Sequence, residues 1–353
     1  MKANKRLSVA IVGCGHVANE HAIAWRRIKG VELVACCDVN EEAAKSFGRR
    51  HGIPKSYADF EELLSKERPS IVDVCAPPQA HKPLAVRAME LGCHVLLEKP
   101  MATSARDAEE IVSAWKRSGV TLCVVHNWLF QPVVLEVRRM VERGRLGKVV
   151  GVQVEALHTG NDPMTSNPDH WSHRMPGGRL GETLVHPIYL IQHFLGSQLE
   201  VLSVSLNKIN PNRPWMAHDE LYAVTRSPNG LGVIHLSYSS PGDLVAMVLY
   251  GTEKTVMVDL SGNAAYELGY AADGRIALAR GVGLLKHSLS VLSSLVKNVA
   301  KVATGRFRTN TEILIREFAK SVLSASKPPV DPMSAYEAVK VLEKIAREVE
   351  ARK

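Results

Sequence analysis

The chain reads as an α/β protein in two parts: an N-terminal doubly wound parallel sheet, then a C-terminal α+β domain with a large, mainly antiparallel open sheet. Three observations predict this. Over the first third, short β-branched apolar runs alternate with stretches of helical period. After about residue 125 the apolar runs lengthen and follow one another across turn signals such as Pro228-Asn229-Gly230. The length, 353 residues, suits about two domains. The expected division is 1–125 and 126–353, with packing of the last helices back on the first domain as an option.

In chain order, strands are expected over 7–12, 32–37, 71–76, 94–97 and 121–125, with helices between them. Such alternation requires parallel strands joined by crossover helices on both sheet faces. A helix over 132–143 then leads to strands over 149–157, 200–206, 221–225, 231–239, 244–251 and 255–259. Residues 279–308 carry Arg280, Lys286, Lys297, Lys301, Arg306 and Arg308 and no acidic residue. Within them Leu285, Leu289, Leu292, Val296, Val299 and Ala303 recur at helical spacing, which predicts a basic amphipathic helix. Packing on its own sheet or on a second subunit is preferred for it over contact with a membrane surface. Two helices, 312–324 and 334–350, close the chain around Lys327-Pro328-Pro329.

Composition narrows the class. Hydrophobic residues make up 46% and charged residues 23%, ordinary values for a folded chain. There is no apolar run long enough to span a bilayer, and the N-terminus passes directly from a short basic start into a strand, so a soluble, cytoplasmic protein is expected. All six cysteines (Cys14, Cys36, Cys37, Cys75, Cys93, Cys123) fall mostly inside apolar runs without paired metal spacing, as small buried hydrophobes of a reducing compartment do. The net charge of +8 raises nucleic acid as a partner. No motif supports it, and an acidic cofactor or substrate explains the excess more simply.

The chemistry begins at Gly13-Cys14-Gly15-His16-Val17-Ala18, which follows the first strand and opens a helix. Gly13 permits the turn, Gly15 lets backbone approach a pyrophosphate, and the helix N-terminus at His16 and Val17 offers free N–H groups to the anion. Asp38 ends the second strand, placed to accept hydrogen bonds from both ribose hydroxyls of NAD, with NADP kept as an alternative. Cys75-Ala76-Pro77-Pro78-Gln79-Ala80-His81 and Glu98-Lys99-Pro100 leave later strands at the same carboxyl edge, where ligands of open α/β sheets bind.

The glycine turn, Pro77-Pro78 with His81, Glu98-Lys99-Pro100 and His126-Asn127 together resemble the glucose-fructose oxidoreductase, inositol dehydrogenase and rhizopine-catabolism (Gfo/Idh/MocA) family. The resemblance continues through Gly177-Gly178 to the final helices. It implies a Rossmann domain and a nicotinamide-dependent oxidoreductase of sugars, cyclitols or their derivatives. It also implies Lys99 at substrate and cofactor, an acid/base dyad at Glu182 and His186, and cofactor contacts at Gly13, Gly15, His16, Val17, Asp38, Ala76, Pro77, Pro78, His81, Glu98, Lys99 and Asn127. Glu182 and His186 are four apart, so one helix face presents both. On this reading Glu182 biases the imidazole tautomer.

The chain departs from the family pattern in three places: Glu182 replaces aspartate, Leu129 stands where arginine is frequent, and Arg179 replaces a third glycine. Substrate recognition is expected in the polar loop 158–179, at His158, Trp171 and Arg174 beside Lys99, Glu182 and His186. His170 and His173 have metal-like spacing but no third ligand, so no metal is expected. A non-catalytic NAD- or sugar-binding regulator is the alternative, against which Lys99 and His186 argue jointly. Strands 231–238 and 247–250 carry apolar residues on both faces, which predicts a homodimer or a homotetramer.

Overall fold

The computed structural model describes residues 6–268, residues 308–352 and, between 281 and 296, residues 281, 282, 285, 288, 289, 291–293 and 296. The chain divides into two compact units. The first joins Met1–Asn127 to Thr309–Lys340, and the second joins Trp128–Arg308 to Val341–Lys353.

In the first unit, strands β1 (Leu7–Val12), β2 (Val31–Cys37), β3 (Lys55–Tyr57), β4 (Ile71–Val74), β5 (His94–Leu97) and β6 (Leu122–Val124) form a parallel sheet in the order β3-β2-β1-β4-β5-β6. The connection reverses between β1 and β4, so the carboxyl ends of these two strands flank the switch point of the sheet. Helices α1 (His16–Arg26), α2 (Glu41–His51), α3 (Phe60–Glu67), α4 (His81–Glu90) and α5 (Ala105–Ser118) make the crossovers. Their starts follow from sequence: Asn40, Asp59 and Ser104 cap α2, α3 and α5 through side-chain oxygens. Near-continuous apolar runs in β1, β4 and β5 are buried on both faces, with Val9, Ala10, Ile11, Val72 and Val95 fully enclosed.

The C-terminal helix α9 (Asn310–Ser324) packs on α1. Phe318 meets Trp25 edge-on at 6.4 Å, and Glu312 receives Arg27 at 2.8 Å. Ala335 and Val339, early in α10 (Pro332–Ala351), join the apolar core of the same unit.

The second unit holds α6 (Pro132–Glu142) and seven strands: β7 (Val149–Leu157), β8 (Glu200–Asn207), β9 (Glu220–Ser227), β10 (Gly230–Ser237), β11 (Leu244–Gly251), β12 (Thr255–Asp259) and β13 (Ala264–Leu268). Their order is β13-β12-β11-β7-β10-β9-β8, antiparallel throughout except for the β7–β10 pair. Between β7 and β8 come the short helix α7 (Pro163–Ser166) and the long helix α8 (Gly178–Leu195), which lies on β7 and β10. That face buries Val152, Val154, Ile234 and Leu236. On the other face Tyr222, Leu231, Leu244 and Tyr250 are each at least 38% exposed.

Strands β3 and β13 were not anticipated from sequence; each is short and lies at a sheet edge, where hydrophobic alternation is weakest. The described residues between 281 and 296 are helical. Val282, Leu285, Leu289, Leu292 and Val296 are exposed, so of the two expected packings, on the chain's own sheet or on a second subunit, the first is not seen for these residues. The rest of that basic segment, with Arg280, Lys286, Lys297, Val299, Lys301, Ala303 and Arg306, lies outside the described residues.

Candidate active site

Gly13 has φ +91°, and a Cβ there would stand 2.5 Å from the backbone nitrogen of Ala76. The β1–α1 turn is thus pressed against the chain leaving β4. Gly15 is different: it is the N-cap of α1, extended, with no side-chain cap and no atom within 4 Å of where its Cβ would be. The helix therefore begins at His16 and Val17 without a side-chain cap and with open space beside Gly15, a start suited to an anion. Asp38 braces the turn, accepting the Cys14 N–H at 2.8 Å on one carboxylate oxygen and the Asn40 N–H at 2.9 Å on the other. Each oxygen keeps a lone pair for a ribose hydroxyl.

Ala76, Pro77 and Pro78 lead into a turn before α4. His81 is fully buried, its Nδ1 2.9 Å from the Pro100 carbonyl and its Nε2 2.9 Å from the Ala76 carbonyl. Burial holds its pKa below the usual imidazole range. The ring lies between the loop after β4 and the loop after β5, and its one N–H donates to one of these two carbonyls. Glu98 likewise faces inward: its carboxylate takes His21 Nε2 at 3.0 Å and the Lys99 N–H at 3.1 Å. Lys99 is half-buried, and Asn127 donates to the Thr311 hydroxyl at 3.3 Å.

In the second unit the functional residues of α8 are nearly enclosed. A Cβ at Gly181 would overlap the Pro176 carbonyl, so this close entry into the helix requires glycine. Arg179 pairs with Glu182, donates to the hydroxyls of Thr183 at 2.8 Å and Thr165 at 3.0 Å, and lies 4.5 Å over the Tyr238 ring. Burial opposes its charge, but Tyr238, Glu182 and Asp162 outweigh that and leave the guanidinium pKa raised. His186 stacks on Trp128 at 4.3 Å, and its Nδ1 is 2.7 Å from the Tyr189 hydroxyl.

Tyr189 also accepts the Trp128 N–H at 3.0 Å. A phenol hydroxyl both donates and accepts, so toward His186 it can accept from an Nδ1–H or donate to a bare Nδ1. The first arrangement leaves Nε2 basic and the second leaves it protonated. The Tyr189 hydroxyl thus stands at Nδ1 of His186, and the Glu182 carboxylate meets Arg179 and Thr183.

Two protein-family models match the chain. Residues 7–126 match the oxidoreductase family with NAD-binding Rossmann fold, and residues 134–257 match the GFO/IDH/MocA C-terminal domain. The chain belongs to the Gfo/Idh/MocA family. Among relatives, it is 36% identical to D-apiose dehydrogenase of Paraburkholderia graminis over 143 residues, 40% of this chain and 38% of that protein. With Oxidoreductase P35 of Formosa agariphila it shares 27% identity over 231 residues, 64% of this chain and 70% of that protein. The fold matches that of the WlbA dehydrogenase from Bordetella pertussis, solved with NADH and UDP-GlcNAcA, at a TM-score of 0.80 and 20% identity, covering 98% of this chain and 96% of that one.

Of the expected substrate residues in this Gfo/Idh/MocA chain, His158 stacks on Tyr238 at 5.4 Å, beside the Arg179 cluster. Burial, then the Arg179 charge, lowers its pKa. Trp171 is half-buried beside His170, whereas Arg174 is exposed and turned to the Asp169 carbonyl at 3.0 Å, within its own loop. His170 Nδ1 faces the Ser172 hydroxyl at 2.9 Å. Sequence reasoning missed Tyr189 and Thr183, the α8 residues that contact His186 and Glu182. Tyr189 stands three residues after His186, and that spacing was the available signal. Tyr238 comes from beyond β10, and nothing local points to it.

Proposed function

We propose that the protein is an NAD-dependent dehydrogenase or reductase acting between a secondary hydroxyl and the corresponding ketone of a sugar, cyclitol or sugar derivative. The observation that carries this reading is His186, an imidazole on α8 stacked on Trp128 with the Tyr189 hydroxyl at Nδ1, where a hydroxyl can accept from Nδ1–H in both the neutral and the protonated ring. The names of relatives such as D-glucoside 3-dehydrogenase of Escherichia coli and myo-inositol 2-dehydrogenase of Thermotoga maritima support the substrate class.

The open cradle at Gly15, the uncapped start of α1 and the free lone pairs of Asp38 suit a dinucleotide, with His16, Val17 and the Ala76-Pro77-Pro78 turn alongside. NAD supplies the hydride acceptor, or in reverse the donor. His186 takes the hydroxyl proton at Nε2 in oxidation and returns it in reduction. The Lys99 ammonium stabilises the developing alkoxide. Glu182, fixed by Arg179 and Thr183, offers its carboxylate to substrate hydroxyls, with His158 and Trp171 nearby in the sequence of the same loop and helix. The first unit, to which 309–340 return, binds the cofactor, and the second binds the substrate. The protein works in the cytoplasm, without nucleic acid, metal or membrane, as a homodimer or homotetramer joined through the apolar face bearing Tyr222 and Leu231.

The test is turnover of NAD with a panel of sugars and polyols, followed by Lys99→Ala and His186→Ala. Each variant is expected to lower turnover about a hundredfold or more, with NADH affinity within about threefold of wild type. Near-wild-type turnover by His186→Ala overturns the assignment. A panel without any turnover favours the non-catalytic binding protein.

A further inference from the structure

The first unit holds a buried charge cluster that the glycine turn does not account for. His21, in α1, and Asp73, in β4, are both completely buried, and Glu98 is 8% exposed. His21 Nδ1 is 2.9 and 3.1 Å from the two Asp73 oxygens, and its Nε2 is 3.0 Å from Glu98. Trp25 donates its indole N–H to Asp73 at 2.6 Å, and Cys75 Sγ stands 3.4 Å from His21 Nδ1.

Among the described residues, His21, Asp73 and Cys75 could be taken for a metal site, since their ligand atoms lie within 4.8 Å of one another. The geometry argues otherwise. A metal-bound imidazole offers a lone pair at about 2.0–2.1 Å, whereas here both ring nitrogens face carboxylates at hydrogen-bond distance. Burial pulls the His21 pKa down, but the Asp73 carboxylate outweighs it and holds the ring charged well above the usual range. Burial drives the Cys75 thiol up to about 12, so it offers no thiolate. The cluster is an imidazolium between two carboxylates.

Its outer end explains what it serves. Glu98 uses one oxygen for His21 and the other for the backbone N–H of Lys99. We propose that His21 is a positioning residue for Lys99, linking the helix that starts at the cofactor cradle, through Glu98, to the lysine backbone. The chain of bonds is Trp25 and Asp73 to His21, His21 to Glu98, Glu98 to Lys99. The helix whose first turn faces the dinucleotide and the lysine that meets the reacting oxygen are thereby set on one buried frame. This inference rests on the role given to Lys99 above.

The test separates the two ends of the imidazole. His21→Gln keeps an N–H where Nε2 stood, facing Glu98; His21→Asn keeps one only where Nδ1 stood, facing Asp73. Amide hydrogen exchange at Lys99, which needs no substrate, is expected to speed up at least tenfold in His21→Asn, with β1 amides little changed. In His21→Gln it stays within about threefold of wild type. On the substrate found in the panel, His21→Asn is expected to lose turnover by about tenfold to a hundredfold with NADH affinity preserved, and to add nothing to Lys99→Ala. Should His21→Asn fail to fold, Glu98→Ala takes its place. Equal exchange at Lys99 in both His21 variants, or acceleration spread evenly over β1, overturns the proposal. A panel without turnover overturns the proposed function alone, because the exchange result stands without it.

Discussion

Alanine in place of Gly13 or Gly15 is expected to damage the protein in two different ways, although the glycines are two residues apart. At Gly13 the backbone sits at φ +91°, and the new Cβ would lie 2.5 to 2.7 Å from three backbone atoms of Cys75 and Ala76. A non-glycine residue held at positive φ costs about 1–3 kcal/mol. Moving the chain that leaves β4 adds about 1–3 kcal/mol of overpacking. The sum, about 2–6 kcal/mol, corresponds at about 2–4 °C per kcal/mol to a melting point lower by roughly 4–24 °C. At Gly15 the backbone is extended and a Cβ meets nothing within 4 Å, so alanine is accommodated, with a change in stability of about 1 kcal/mol or less. The same methyl occupies the space through which a pyrophosphate approaches the start of α1, and NADH affinity is expected to fall about tenfold, roughly 1.4 kcal/mol. Calorimetric melting and fluorescence titration with NADH, run on both variants, read the two effects separately. Wild-type melting of Gly13→Ala, or unchanged NADH affinity of Gly15→Ala, refutes the account of the turn.

Two further predictions concern the cofactor and the assembly. Wild-type protein should bind NADH more tightly than NADPH, since Asp38 meets the added phosphate with like charge, and Asp38→Ser should narrow that gap; a wild-type preference for NADPH in direct titration removes the argument. Light scattering at micromolar concentration should report a dimer or tetramer that Tyr222→Glu combined with Leu231→Glu reduces to monomer, while a monomeric wild type refutes association through that sheet face.

What the sequence disclosed was what short-range pattern controls. The glycine turn, the apolar β5 and the i, i+4 spacing of Glu182 and His186 are local, and their elements stand where the pattern put them. The direction in which side chains face is not local. Glu98 follows β5 and His81 opens α4, yet both turn inward because buried polar partners are there to receive them. Glu182 carries the expected carboxylate on the expected helix, yet Arg179, one turn earlier, captures it. His21 passed as an ordinary helix residue because its partners are 52 and 77 positions away. The C-terminal edge strand β13 was missed because it has few alternating residues and a neighbour on one side only.

The C-terminal completion of the first unit has a consequence for how the protein comes into being. Domains made early in translation commonly fold as soon as they leave the ribosome. Here β1 to β6 emerge with Trp25 still lacking Phe318, Arg27 lacking Glu312, and the core lacking Ala335 and Val339. Those residues arrive only after the whole of 128–308 has been synthesised. The nascent parallel sheet therefore waits with one helix-binding surface uncovered, and the interval in which it is vulnerable to association with other chains is set by the time taken to make the second unit.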